Sequence, residues 1–195
     1  MHFSPPDPCS LPSLIPSWPP LQRPYKACTP LGLRTNPSAV TAALRQPDPR
    51  TLNGLLINLT SARELLELHQ QYGTSFNHIN LATCWSRLGR VRAADRRWLQ
   101  SDDGARLSAL REQTNRQLTT FEPRAVSGTS HALAKLSLRG AAWASLWNEI
   151  ERAAFARSSK FKPQELANTA WAFATAGHAA PALIDAIAEE AARRV

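Results

Sequence analysis

Cysteine and histidine are the residues that most often carry nucleophilic or metal chemistry, and this chain has three cysteines and five histidines. The cysteines stand at positions 9, 28 and 84, without a C-x-x-C pair or a cysteine–histidine cluster, which argues against a disulfide framework and a zinc site. His78 and Cys84 are six residues apart, a poor match for one helical face, and no acid is placed to orient the histidine. We therefore predict free thiols, no metal, no cofactor and no enzymatic activity. Asp102 and Asp103 precede a predicted helix and are interpreted as N-terminal caps.

Positive charge is the other chemistry that the sequence offers. The 195 residues include 23 Lys or Arg and 15 Asp or Glu, for a formal net charge of +8. Residues 87–139 hold eleven of the basic residues and five of the acidic ones, so the middle of the chain carries most of the excess. Such a balance permits a nucleic acid or an acidic membrane surface as partner. The arginines expected to form a phosphate-attracting band are Arg87, Arg92, Arg96, Arg97, Arg111, Arg116, Arg124 and Arg139.

The first 50 residues differ in composition from the rest of the chain. They contain twelve of the fifteen prolines, with five basic residues and two acids. Because each proline removes a backbone donor and restrains its neighbour, we predict that this Pro-rich segment is disordered. Its arginines, serines and few acids are typical of an organelle transit peptide, and an ordinary Pro-rich tail is the alternative. No apolar run in the chain approaches the ~20 residues of a membrane span, so we predict no membrane insertion.

Residues 51–195 are predicted to form one all-α domain. Strand signals are nearly absent, and only three prolines remain, two of which (Pro123 and Pro163) suit the first turn of a helix. The apolar periodicity predicts helices at about 51–58, 61–72, 77–91, 93–100, 103–118, 123–137, 141–157, 163–176 and 181–194.

One pattern occurs three times in this domain, at 76–92, 121–137 and 161–177. Each copy opens with phenylalanine (Phe76, Phe121 and Phe161), at offsets of 45 and 40 residues, and bulky residues then recur at spacings that share one helical face. Each copy also follows another helical segment, so the repeating unit is a helix pair of about 40 residues. We predict an α-solenoid of stacked helix pairs. Its second helices would be 77–91, 123–137 and 163–176, with the last repeat truncated.

The amino-acid sequences of these copies resemble those of a known family. ELANTAWAFATAG and TSHALAKLS look like the second helix of octotricopeptide repeats. SARELLELHQQYGTSFNHINLATCWSRLGRV is similar to the leading repeat of algal members, which are often described as chloroplast translation factors. That group is related to the leucine-rich region of FAST-kinase-like organelle proteins. The resemblance covers roughly residues 51–195, although family members often have many more than three copies.

The resemblance implies sequence-dependent binding of single-stranded organellar RNA and an effect on RNA stability, processing or translation. It favours the chloroplast stroma, with the mitochondrial matrix as alternative, and further partners could be the organellar ribosome or RNA-processing proteins. Two other functions stay open. The chain could be a protein-binding α-solenoid scaffold. It could also be the N-terminal part of a longer nuclease-like protein with a RAP module, which is not recognisable here.

In an RNA-binding solenoid a few side chains per repeat read the bases, so the exposed positions of the second helices are the candidates. Cations would contact phosphates and polar side chains would select bases. The predicted RNA-binding residues are Thr83, Arg87, Arg90, Arg92, His131, Lys135, Arg139, Asn168 and Thr175. Each could instead be an ordinary solvated surface residue. Ser86, His131 and Trp171 share one repeat position, which suits either a readout site or a tolerant surface.

Four tryptophans in the predicted helices could pack in the core or stack on bases. Trp85, Trp143, Trp147 and Trp171 all have apolar neighbours in sequence, so we predict that all four are core residues.

Overall fold

A computed structural model describes residues 46–101 and 104–194, which all belong to one compact unit. All regular structure in these residues is helical, with no strand, which confirms the all-α prediction. Most of the predicted disordered segment lies outside the described residues, as do Asp102 and Asp103. The first helix of the described residues begins at Pro49, because the Asp48 carboxylate accepts hydrogen bonds from the backbone N–H groups of Arg50 (2.9 Å) and Thr51 (3.1 Å).

The described residues contain an α-helix in each of the nine predicted places. They are α1 (Pro49–Asn58), α2 (Ala62–Tyr72), α3 (His78–Leu88), α4 (Ala93–Gln100), α5 (Ser108–Gln117), α6 (Pro123–Lys135), α7 (Ala141–Phe155), α8 (Pro163–Ala176) and α9 (Pro181–Ala192).

These helices form two layers. In one layer α1, α3, α6 and α8 lie side by side in that order, and α6 contacts α8 most extensively. The other layer contains α2, the short α4, α5, α7 and α9, each of which contacts a neighbour in its own layer. The apolar core lies between the layers, so each helix of the first layer keeps a second face toward solvent.

The three copies of the sequence pattern have the same local structure. Each copy begins after a short 3₁₀ turn, at Gly73–Ser75, Leu118–Thr120 or Ser158–Lys160. Each copy then contains one helix of the first layer, α3, α6 or α8. The phenylalanines that open the copies (Phe76, Phe121 and Phe161) are at most 3% exposed. The bulky residues that follow are also buried, namely Leu81, Leu88, Val126, Leu133, Leu166 and Phe173.

Two predicted helix bounds differ from the structure by three residues or more. Helix α3 ends at Leu88 instead of residue 91, and Gly89 follows it where an added Cβ would come 3.0 Å from the Cβ of Ala132 on α6. The chain turns at this close approach of the two helices. Helix α5 begins at Ser108 instead of residue 103, because Gly104 has a φ of +77° and a 3₁₀ turn (Ala105–Leu107) follows it.

The core prediction for the tryptophans holds for three of the four. Trp85, Trp143 and Trp147 are at most 2% exposed, and the indole N–H groups of Trp85 and Trp147 donate to Thr114 Oγ1 (2.8 Å) and to the Leu138 carbonyl (2.9 Å). Trp171 is 46% exposed, so its assignment to the core was wrong.

Candidate nucleic-acid interface

Three helices of the first layer carry matching stripes of solvent-facing side chains. The positions follow spacings of 4, 3 and 4 residues, which keep side chains on one helical face. The stripe along α3 and the turn after it is Ile79, Thr83, Ser86 and Arg90. The corresponding residues are Arg124, Gly128, His131 and Lys135 on α6, and Gln164, Asn168, Trp171 and Thr175 on α8. The offsets of 45 and 40 residues therefore relate all four rows of a three-by-four array.

A groove of about 890 Å³ runs across this array, and we call it the α3–α6–α8 groove. Gly128 lies at its centre, where an added Cβ would meet nothing within 4 Å, so the groove has free space there. Six of the nine predicted RNA-binding residues line it, namely Thr83, Arg87, Arg90, His131, Lys135 and Asn168.

The charge of this groove is positive and largely unpaired. It is lined by five Lys or Arg side chains and two Glu side chains. Within residues 46–101 and 104–194 neither Arg90 nor Lys135 has a hydrogen-bond or ion-pair partner for its side chain. Burial, and then the positive charges of Lys135 and Arg90, lower the pKa of His131 below its ordinary 6.5. The imidazole is therefore mainly neutral at pH 7, and the two cations act on the same surface.

Arg87 and Asn168 differ from these cations because each has an internal partner. Arg87 donates two hydrogen bonds to the Leu59 carbonyl, from Nε at 3.0 Å and from Nη2 at 2.7 Å. This fixes the guanidinium between α3 and the end of α1. Asn168 Oδ1 accepts a 3.0 Å bond from Gln164 Nε2, which leaves its NH₂ group without a partner among the described residues.

Three predicted RNA-binding residues lie outside the groove. Arg92 is exposed and precedes the first residue of α4. Arg139 and Thr175 line a separate small cleft of about 70 Å³. The predicted single band of arginines is also divided, since Arg124 faces the groove whereas Arg111 donates to the Ala142 carbonyl (2.6 Å) in the other layer.

Two features of this surface were not among the predicted RNA-binding residues. The first is the row of Ile79, Arg124 and Gln164, which the same offsets place four residues before Thr83, Gly128 and Asn168. The second is Trp171, whose ring lies beside that of His131 at a centroid distance of 4.9 Å. Both features could have been found in the sequence from the repeat offsets of 45 and 40 residues.

A second groove, of about 700 Å³, lies on the other layer between α2, α4 and α5, and we call it the α2–α5 groove. The indole of Trp98 lines it, with the guanidinium groups of Arg63 and Arg106 at 4.4 and 4.7 Å from the ring centroid. His69 is buried beside them and shares a 2.8 Å hydrogen bond with Gln113.

Other chemistry has little support in the described parts of the chain. Cys84 is fully buried, which raises the pKa of its thiol to about 12, so the thiolate that would act as nucleophile is scarce. Across the described ranges, no three His, Cys, Asp or Glu side chains cluster in a way that could hold a metal ion. No helix among those same residues is both long and apolar enough to cross a membrane.

Comparisons with known proteins do not assign the chain to a family. No family model matches it, and neither the curated proteins nor the solved structures give a significant match.

Proposed function

We propose that residues 51–195 form an α-solenoid of three helix-pair repeats, of the octotricopeptide type that the sequence resembles. A recurring contact supports this proposal. The backbone of the 3₁₀ turn before each copy accepts a hydrogen bond from a side chain that lies in, or just after, a later helix of the other layer. Arg157 donates to the Thr119 carbonyl (2.6 Å), and Arg194 donates to the Ser159 carbonyl (2.9 Å), at acceptor positions 40 residues apart. Gln113 donates to the Gly73 carbonyl (2.7 Å) in the first copy.

The function that this surface supports best is the non-enzymatic binding of single-stranded RNA, in post-transcriptional control of organellar transcripts. The observation that carries it is the pair Arg90 and Lys135, two cations without partners among the described residues, in one groove with the partly exposed His131. Cations of this kind gain most from a polyanion, because phosphate contacts release counterions from the nucleic acid. The location would be an organelle matrix, with the chloroplast stroma favoured.

In this mechanism the RNA backbone lies along the α3–α6–α8 groove and its bases face the array of polar side chains. Thr83 and Asn168 are placed to offer hydrogen bonds to base edges. Bound protein would then cover a transcript segment and change its access to nucleases or to the ribosome.

A protein-binding scaffold is the second candidate, favoured by one observation. Leu55, Ile57 and Ile79 are 45–52% exposed on α1 and α3, and Ile57 and Ile79 line one end of the groove. An apolar end of this kind would suit a peptide partner.

The test is fluorescence anisotropy with the full chain and labelled single-stranded RNA, at about 50 mM and about 200 mM salt. We expect salt-sensitive binding that the double variant Arg90→Glu, Lys135→Glu weakens by about 10-fold or more at the lower salt. The matched control is Arg97→Glu, Arg116→Glu, which makes the same change in net charge at exposed residues of α4 and α5.

Equal weakening by the two double variants would show that only net charge matters, and the groove assignment would fail. Absence of RNA binding by folded wild-type protein would favour the scaffold.

A further inference from the structure

Trp171 is the one tryptophan among the described residues that is classed as exposed, with nearly half of its surface in solvent. Trp85, Trp143 and Trp147 are buried, and Trp98 lies against two guanidinium groups. Trp171 is 46% exposed, and within the described ranges its indole N–H has no acceptor. Its contact with His131 is tilted, at 57° between ring planes, and leaves much of the indole accessible. An exposed tryptophan of this kind gains free energy when another flat group covers it.

The surroundings of Trp171 indicate what that flat group is. Asn168 stands one turn before it on α8, and His131 faces it from α6. Both neighbours line the α3–α6–α8 groove together with the cations Arg90 and Lys135. The surface therefore combines positive charge, an amide with free donors and an aromatic platform. Proteins hold unpaired nucleotides with this combination, because the base stacks on the aromatic ring while cations nearby contact the phosphates. An ordinary peptide carries no phosphate groups, so it would not use the cations in this way.

We propose that Trp171, with His131 beside it, is the stacking platform for one unpaired base of the RNA whose phosphates lie near Arg90 and Lys135. This inference rests on the proposed function and deepens it. Stacking needs a base that is free of its neighbours, so the platform selects single strands over duplexes. Gly128 leaves the adjacent groove open, and Asn168 is close enough in sequence and on the helix face to contact the edge of the stacked base.

The experiment compares two ligands of equal charge. One is a labelled single-stranded oligoribonucleotide of mixed sequence, and the other is the same oligonucleotide with abasic residues in place of nucleosides. The full-length wild type, Trp171→Ala and Trp171→Phe are titrated with each at low salt. We expect Trp171→Ala to bind the base-bearing strand about 10-fold more weakly and the abasic strand unchanged. Trp171→Phe keeps an aromatic face and should bind within about threefold of wild type.

Phe155→Ala is the matched control, because Phe155 is 52% exposed on α7 in the other layer and should not affect binding. Circular dichroism checks that each variant is folded.

The outcomes separate this inference from the proposed function. If Trp171→Ala binds the RNA as tightly as wild type does, Trp171 is not a stacking platform. The proposed RNA-binding function is unaffected by that result. Equal weakening toward both strands also overturns it, since bases would then not be what Trp171 contacts. Absence of any RNA binding by wild type overturns the proposed function and the platform with it.

Discussion

The two grooves differ in how some of their cations are used, with three Lys or Arg side chains lining the α2–α5 groove and five lining the α3–α6–α8 groove. In the α2–α5 groove Arg63 and Arg106 lie over the ring of Trp98, and Arg106 also donates to the Trp98 carbonyl (3.0 Å). In the α3–α6–α8 groove Arg90 and Lys135 have no such partner in the described residues. The number of arginines on a surface therefore does not show how many of them the protein itself satisfies.

This comparison also explains why the middle of the chain can be strongly basic without being a single binding band. A guanidinium that donates to a carbonyl or covers an aromatic ring stabilises the contact between helices. A cation without these contacts contributes to the field outside the protein. Arg87 belongs to the first kind although it lines the α3–α6–α8 groove, because its Nε and Nη2 both donate to the Leu59 carbonyl.

The separate variants Arg87→Ala and Arg90→Ala test this distinction between two kinds of cation, and they have the largest expected effect on stability. Arg87→Ala should lower the free energy of unfolding by about 1.5–3 kcal/mol, since it removes a charged donor and leaves the Leu59 carbonyl with fewer partners. Arg90→Ala should change it by less than about 0.5 kcal/mol, because its side chain is exposed and makes no bond to the described residues. Urea unfolding at pH 7 measures both. A loss in Arg90→Ala as large as that in Arg87→Ala would contradict the distinction.

Two glycines of the first layer allow a point where two helices touch to be compared with a point where the groove is open. Gly89→Ala should cost about 1–3 kcal/mol, because its Cβ would meet Ala132 at 3.0 Å where α3 and α6 touch. Gly128→Ala should stabilise by about 0.5–1 kcal/mol, because its Cβ enters free space and alanine favours the helix. Thermal unfolding followed by circular dichroism compares the two. A destabilised Gly128→Ala would mean that the groove floor is not open there, and a stabilised Gly89→Ala would mean that Ala132 does not limit the space at Gly89.

Most of the fold could be predicted from the sequence because periodicity and repeat register act locally. The three phenylalanines mark equivalent turns, and the bulky residues behind them fix which face of α3, α6 and α8 is buried. The opposite face then follows, which is why Thr83, Arg90, Lys135 and Asn168 were predicted and do line one groove.

The remaining features depend on contacts between residues far apart in the chain. Arg87 anchors α3 by donating to the Leu59 carbonyl, 28 residues earlier in the chain. No local sequence pattern predicts such a hydrogen bond. The close approach of α6 to the end of α3 brings Ala132 against Gly89, 43 residues earlier in the chain. Trp171 is different, since its stripe contains Gln164 and Asn168 while the buried stripe contains Leu166 and Phe173. Residue type was given more weight than register, and the prediction was wrong for that reason.

The ends of α6 and α8 offer a smaller test, at the edge of the same layer. Ser137 follows α6 with a φ of +57°, and Gly177 follows α8, 40 residues later, with a φ of +68°. A left-handed conformation costs an L-residue about 1 kcal/mol, so Ser137→Gly should raise the free energy of unfolding by about that amount. Gly177→Ser should lower it similarly. Urea unfolding of both variants decides the matter, and a destabilised Ser137→Gly would show that the serine side chain has a role that the backbone does not explain.

Acid sensitivity compares the two grooves through one histidine in each. Burial lowers the pKa of His69 below its ordinary 6.5, against a raising effect of the Gln113 hydrogen bond, and burial also lowers the pKa of His131. A lowered pKa means that the unfolded chain binds the proton more readily. Stability is therefore complete above about pH 6.5 and falls as the pH drops toward the folded-state value.

We expect the free energy of unfolding to decrease between pH 7 and about pH 5.5, a window above the titration of ordinary carboxylates. His69→Gln should flatten this decrease more than His131→Gln, because His69 is only 7% exposed whereas His131 is partly exposed beside the open groove. Urea unfolding across this window measures both slopes. Equal flattening would mean that the α2–α5 groove does not shield its histidine from solvent any better than the α3–α6–α8 groove does. The two surfaces would then differ in cation pairing alone.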